Sequence, residues 1–160
     1  KRFYENVTRK KTENKNIYMS SLEERLMEHE GFMNQIYTDT RGFATIGYGH
    51  LITKKDNFVE GKEYEEEELY QLFKIDLQKA IDGSEEIVGH IKDLHPTAKE
   101  IITEMVYQLG VTGVRRFFKT LLHLENLNYK AASSEMLDSA WRKQTPKRCE
   151  KLSKMMAECA

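Results

Sequence analysis

Two carboxylates and one hydroxyl stand close together in the stretch EHEGFMNQIYTDTRGFATIGYGH, residues 28–50: Glu30, Asp39 and Thr45. Cleaving a glycosidic bond takes one carboxylic acid to protonate the leaving oxygen and a second carboxylate to handle water or the developing positive charge. The two acids must therefore sit in different environments, one that resists ionisation and one that permits it. Glu30 precedes Gly31 at the expected end of a helix, where the negative end of the helix dipole opposes its ionisation, and Phe32 and Met33 follow to exclude water. Asp39 falls in an open polar turn, where it stays ionised at neutral pH. On generic statistics the same residues also read as a surface glutamate and a turn-forming aspartate, and spacing alone does not separate the two readings.

The elements that must position these groups follow from capping and periodicity. Ser21 followed by Glu24 has the spacing of a capping box, Leu22, Leu26 and Met27 give an apolar helical face, and Gly31 stops the helix with Glu30 in its last turn. From Gln35 to His50 the period changes to alternation, and TDTRG supplies a turn between two short strands. Gly47 and Gly49 fall on the strand face shared with Phe43 and Thr45, where a missing side chain admits close backbone packing, a saccharide, or a bulge. Beyond the polar loop TKKDNFVEGK, a helix is predicted from about Glu65 to Ile81, with Leu69, Leu72, Phe73, Asp76 and Ala80 on one stripe; Asp76 is its only charge. Pro96 suits a first helical position and Gly110 a C-terminal stop for PTAKEIITEMVYQLG, which is apolar on more than one side and reads as the central buried helix. Three shorter helices are predicted after it: VRRFFKTLLHL, a segment opened by Asn128, and one opened by Thr145 and Pro146. The predicted class is α+β, a small β-hairpin lobe packed against a mainly helical lobe.

A length of 160 residues suits one domain, and no apolar run approaches what a bilayer span needs, so a soluble chain is expected. Residues 1–19 carry six Lys/Arg and two acids with few apolar groups, and are expected to form a flexible basic extension ahead of a domain over residues 20–160. The net charge is −1, unevenly spread: residues 51–95 hold six Lys/Arg against twelve Asp/Glu, residues 96–160 eleven against seven. Such a basic second half reads first as a solvated face. Cys149 and Cys159 share helical spacing with Leu152, Met155 and Met156 and read as inward-facing apolar groups. The five histidines show no paired ligand spacing, and Trp141 belongs to the helical core by position.

The stretch quoted above resembles the catalytic signature of the phage-type lysozymes, the endolysins and muramidases of glycoside hydrolase family 24. The matching residues are Glu30-Gly31, then Tyr37-Thr38-Asp39, then Thr45-Ile46-Gly47-Tyr48-Gly49-His50. The likeness continues in LYQLFKIDL, MVYQLGVTGVRRF and WRKQTPKRCEKL and covers about residues 21–157. It implies a lysozyme-like fold and a peptidoglycan muramidase that cuts the β-1,4 linkage between N-acetylmuramic acid and N-acetylglucosamine by an inverting acid/base route. Glu30 is then the proton donor, Asp39 the carboxylate that holds or deprotonates the attacking water, and Thr45 the hydroxyl on the other side of that water. Leu51, Tyr107 and Thr120 would line the sugar cleft, although the family more often carries Phe and Ser at the last two positions. Glu135 stands where the family's best-known member has a substrate-contacting Asn, and the loop from His50 to Asp76 is shorter than in some members.

The resemblance also supplies supporting roles. His50 becomes the partner that Asp76 needs on its apolar stripe, and Arg148 approaches Glu30, where a cation would lower the acid's pKa against the dipole. No metal or organic cofactor is implied. The expected partner is the glycan strand of peptidoglycan, without nucleic acid or membrane insertion, and the chain is expected to be a monomer unless its extension tethers it to an assembly. Two alternatives stay open: a lytic transglycosylase, which needs no water-holding pair like Asp39 and Thr45, and a non-catalytic peptidoglycan-binding or phage-tail assembly module, which has no need of all three catalytic positions. A free endolysin passing from host cytoplasm to periplasm, a tail-borne lysozyme of the virion and a bacterial effector all fit the pattern.

Overall fold

The computed structural model describes residues 20–160, so the expected extension over residues 1–19 lies outside the described residues. They form an α+β fold of seven helices and one three-stranded antiparallel sheet. The chain divides into two compact units, before and after the boundary between Leu77 and Gln78.

The first unit opens with α1 (Ser21–Glu30). Its N-cap is Ser20, whose hydroxyl accepts from the Glu23 N–H at 3.1 Å and faces the Glu23 carboxylate at 3.5 Å. The serine N-cap therefore lies one residue earlier than the Ser21–Glu24 box places it: adjacent serines and adjacent glutamates offer the same spacing twice, and the pattern holds two registers. Gly31 ends α1 with φ 73°, its N–H returning to the Met27 carbonyl at 3.0 Å.

Strands β1 (Met33–Thr38), β2 (Ala44–Gly47) and β3 (His50–Leu51) follow, paired in the order β1-β2-β3. Tyr37 pairs with Thr45 and Thr38 with Ala44, while the β1–β2 register is irregular between Met33 and Tyr37. Thr45 also pairs with Leu51, and Ile46 with His50. The single hairpin anticipated from alternation is thus a three-stranded sheet. The chain reverses at Tyr48-Gly49, so Gly49 does not share a strand face with Phe43 and Thr45; a Gly-x-Gly turn preserves a period of two and hides inside an alternating pattern.

Beneath the sheet residues, Leu26, Met27, Ile46, Tyr48, Leu69 and Phe73 are buried. The Tyr48 ring lies 4.8 Å from that of Phe32 and 5.3 Å from that of Phe73. Helix α2 (Glu66–Val88) starts in this unit and runs on past Ile81. The Asp-Gly-Ser run at residues 82–84 resembles a turn, yet Gly83 lies within the helix, where a Cβ would come within 2.7 Å of Val111 and 3.0 Å of Val106. Close packing, and not chain reversal, explains that glycine.

In the second unit, α3 (Pro96–Arg115) carries six consecutive buried residues from Ile101 to Val106, as expected of a helix covered on every side. Burial of each large apolar side chain there contributes about 1.5–3 kcal/mol. Gly110 has non-helical φ 77° and ψ 165°, so the helix breaks where the sequence places its stop and then resumes. Helices α4 (Phe118–Glu125), α5 (Tyr129–Leu137), α6 (Ala140–Gln144) and α7 (Pro146–Ala157) follow. Asn128 caps α5 by accepting from the Ala131 N–H at 3.3 Å. The short α6 was not anticipated; at five residues it is below the length at which periodicity is visible. It carries the buried Trp141, whose indole N–H donates to Gln108 at 3.0 Å. Cys149 is buried, Cys159 half-buried, and both are free thiols. No helix among the described residues is long and apolar enough to cross a membrane.

Candidate active site

Glu30 is the last residue of α1, and the Tyr48-Gly49 turn lies directly against it: a Cβ placed on Gly49 would fall on the Glu30 carboxylate, 3.0 Å from its Cδ and 3.3 Å from its Cβ. Bare backbone therefore forms one wall of the acid's surroundings.

Asp39 begins the turn between β1 and β2. Its Oδ1 accepts from the N–H groups of Arg41 at 2.9 Å and Phe43 at 2.8 Å, and its Oδ2 faces the Arg41 guanidinium at 3.4 Å. The Asp39 N–H donates to the Phe43 carbonyl at 2.9 Å, and the Gly42 N–H to the Asp39 carbonyl at 3.0 Å, closing a tight turn. The bond from the Phe43 N–H is the largest influence on the Asp39 carboxyl; desolvation opposes it, and the bonds and charge of Arg41 add to it, so that the carboxyl is held below its ordinary range. It is an anion at neutral pH.

Thr45 on β2 is 2% exposed, and its hydroxyl donates to the Phe43 carbonyl at 2.9 Å. That bond uses its proton and leaves oxygen lone pairs able to accept from another donor. Tyr37, its cross-strand partner, projects from the same face of the sheet. Burial, then the charges of Glu30 and Asp39, push the Tyr37 phenol above its usual pKa. A single protonated hydroxyl thus stands in the field of both carboxylates. Sequence reasoning named Tyr37 only as part of the Tyr-x-Asp motif; its placement opposite Thr45 depends on the strand register.

At the start of β3, His50 Nδ1 lies 2.7 Å from Asp76 and Nε2 lies 3.0 Å from Asp56. Burial opposes a charge on this ring, but hydrogen bonds to Asp76 and Asp56 and their negative charges carry the His50 pKa above its usual value. Asp56 is lowered: burial works against ionisation, and the Thr53 N–H at 2.7 Å and His50 outweigh it. The second acid was missed because it lies in a polar loop without periodicity; the Thr53-x-x-Asp56 turn was the available signal.

The other predicted residues are placed as follows. Leu51 is exposed at the end of β3. Tyr107 on α3 is half-buried. Thr120 on α4 is 1% exposed, and among the described residues its hydroxyl has no hydrogen-bond partner. Glu135 is half-buried on α5. Arg148, on α7, is buried and its Nε donates to Glu104 of α3 at 2.8 Å. Glu104 was not anticipated, although an acid inside a helix covered on all sides demands a cation. Among the described residues, no three His, Cys, Asp or Glu side chains converge as metal ligands would.

The class that emerges is a glycoside hydrolase of lysozyme-like fold. The phage lysozyme family matches residues 27–157, and the chain belongs to that family. Probable T4-type lysozyme 2 of Dictyostelium discoideum is 30% identical over 156 residues, covering 84% of this chain and 92% of its own length. Probable T4-type lysozyme 1 of the same organism is 31% identical with the same coverage. Peptidoglycan hydrolase gp36 of Pseudomonas phage phiKMV is 26% identical over 132 residues, 82% of this chain but 14% of that protein.

Proposed function

We propose that this chain hydrolyses the β-1,4 linkage between N-acetylmuramic acid and N-acetylglucosamine in bacterial peptidoglycan, with inversion at the anomeric carbon, and so lyses the cell wall. The observation that carries this reading is the pairing of Thr45 with Tyr37, whose phenol is raised by burial and then by the charges of both Glu30 and Asp39. Membership of the phage lysozyme family supports it, as does the name of the phiKMV relative, a peptidoglycan hydrolase.

Glu30, protonated, gives its proton to the glycosidic oxygen as the C1–O bond breaks. A water held by Asp39 and Thr45 attacks C1 from the opposite face, and its proton passes to Asp39. The product hydroxyl then has the configuration opposite to that of the substrate. Inverting sites of this kind hold their carboxyl groups roughly 6.5–9.5 Å apart so that a water fits between them. The low pKa of Asp39 suits a group that must be ionised before each turnover. Leu51, Tyr107 and Thr120 serve as saccharide contacts, Tyr107 offering an apolar ring face and a hydroxyl. His50 and Asp76 have a structural role, and residues 20–160 act as one monomeric catalytic domain.

Mass spectrometry of muropeptides released from purified peptidoglycan tests the reaction. Reducing muramic acid ends are expected. Anhydro-muramic ends would make the chain a lytic transglycosylase, and absence of release would make it a binding module. Proton NMR of the first product should show the α-anomer; retained β-configuration would make Asp39 a nucleophile.

A further inference from the structure

We propose that Gly49 is a positioning residue for the acid: the side chain it lacks leaves the space in which the Glu30 carboxyl is held, and an alanine there would displace that carboxyl while leaving the sheet in place. The inference rests on the reading of Glu30 as proton donor and concerns what keeps that donor where it is.

Three features of the turn carry it. A Cβ at Gly49 would overlap the Glu30 carboxylate and would also crowd its Cδ at 3.0 Å and Cβ at 3.3 Å, so one of the two residues must move. The turn is poorly able to do so. On one side Tyr48, 1% exposed, is wedged against the rings of Phe32 and Phe73; on the other His50 is bonded to both Asp76 and Asp56. The Glu30 side chain has rotatable bonds and its backbone is fixed at the end of α1, so the carboxyl is the part that yields. A displacement of the order of 1 Å at a reacting group costs about 100-fold in rate.

Gly49 also has φ 75°, which any L side chain strains, so alanine there has two effects that must be separated. Gly61 provides the comparison: its φ is 81° and a Cβ there meets nothing within 4 Å. Gly49→Ala and Gly61→Ala in the full chain should lose similar amounts of melting temperature. On purified peptidoglycan Gly49→Ala should lose about 100-fold in kcat with KM within about twofold, and the alkaline limb of its pH profile should move, whereas Gly61→Ala should keep kcat, KM and profile. A Gly49→Ala variant with kcat within about threefold of Gly61→Ala and an unmoved limb overturns the inference. If Gly49→Ala fails to fold, Gly49→Ala/Glu30→Ala should regain the fold because the overlapping atoms are gone; a double variant equally unfolded overturns it. Glu30→Gln separates the two levels: if it still lyses walls, the acid has been misassigned, whereas an inactive Glu30→Gln beside an active Gly49→Ala defeats the role of Gly49 alone.

Discussion

Replacing His50 with asparagine removes the donor shared by Asp76 and Asp56, which lie 2.7 and 3.0 Å from its two ring nitrogens. The side chains are only 12%, 17% and 19% exposed for His50, Asp76 and Asp56, so water screens the pairs incompletely. A hydrogen bond to a charged group is worth about 1.5–3 kcal/mol, and Asp56 keeps its bonds to Thr53, so the total loss should be about 2–4 kcal/mol. At about 3 °C per kcal/mol for a chain of this size, the melting temperature should fall by about 6–12 °C near pH 5.5. The pH dependence has a definite sign. His50 is raised in the folded state, so its contribution is complete below the unfolded value near 6.5 and is lost as pH rises through the folded pKa. Asp56 is lowered, so its contribution is present above about 3.9 and is lost as pH falls through its folded pKa. The cluster is therefore worth most between about pH 4 and 6.5. Above that window a neutral ring keeps a single N–H for two acids. Thermal unfolding of wild type and His50→Asn from pH 4.5 to 9 should show a gap that narrows as pH rises. A gap under about 1 °C, or one that is flat or widens with pH, would refute the assignment of charge to this ring.

Asp39→Asn retains an oxygen to accept from Arg41 and Phe43, whereas Asp39→Ala does not; both should lose several orders of magnitude in lysis, but only the alanine should lower the melting temperature appreciably. Thr120→Val removes a buried hydroxyl that has no partner among the described residues and should raise the melting temperature by about 3 °C, the equivalent of about 1 kcal/mol, while raising KM if that hydroxyl binds saccharide. Arg148→Met withdraws the Nε donor from the buried Glu104 and should cost about 3–5 kcal/mol in urea unfolding; Arg148→Met/Glu104→Leu should recover much of that loss, and a double variant as unstable as the single one would contradict the pairing.

The part of the proposed site that ends at Leu51 could be named from the sequence because it is local. Glu30, Asp39, Thr45 and Leu51 fall within a span of helix end, turn and two strands, and capping, alternation and turn chemistry each act over a few residues. The details that escaped depend on distant or degenerate information. Ser20 and Ser21 offer one spacing in two registers, and the turn at Tyr48-Gly49 keeps the period of the strands it joins. Gly83 lies past the predicted helix end near Ile81, and its place inside the helix becomes intelligible only when Val106 and Val111 are seen to occupy the space of its side chain. Glu104 and Arg148 stand on different helices, and neither local pattern names the other. Fold class needed only periodicity, while Gly83 and the Glu104–Arg148 pair needed a tertiary neighbour.

The two readings of Asp39, turn former and proposed reactive carboxylate, rest on the same bonds. Its Oδ1 is taken up by backbone N–H groups of the turn, and those bonds are the principal cause of its low pKa. Folding the turn therefore ionises and orients the group, and Oδ2 is left on the side of the Arg41 guanidinium. Because the folded pKa is depressed, the turn's contribution to stability is present above the ordinary carboxylate pKa and is lost as pH falls through the folded one. Protonation of Asp39 would then weaken the turn and remove the proposed base together. The acid limb of activity and the loosening of the β1–β2 turn should consequently follow one titration, so that NMR shifts of the Arg41 and Phe43 amides report the same midpoint as the fall in kcat; separate midpoints would mean that the turn and the chemistry rely on different groups.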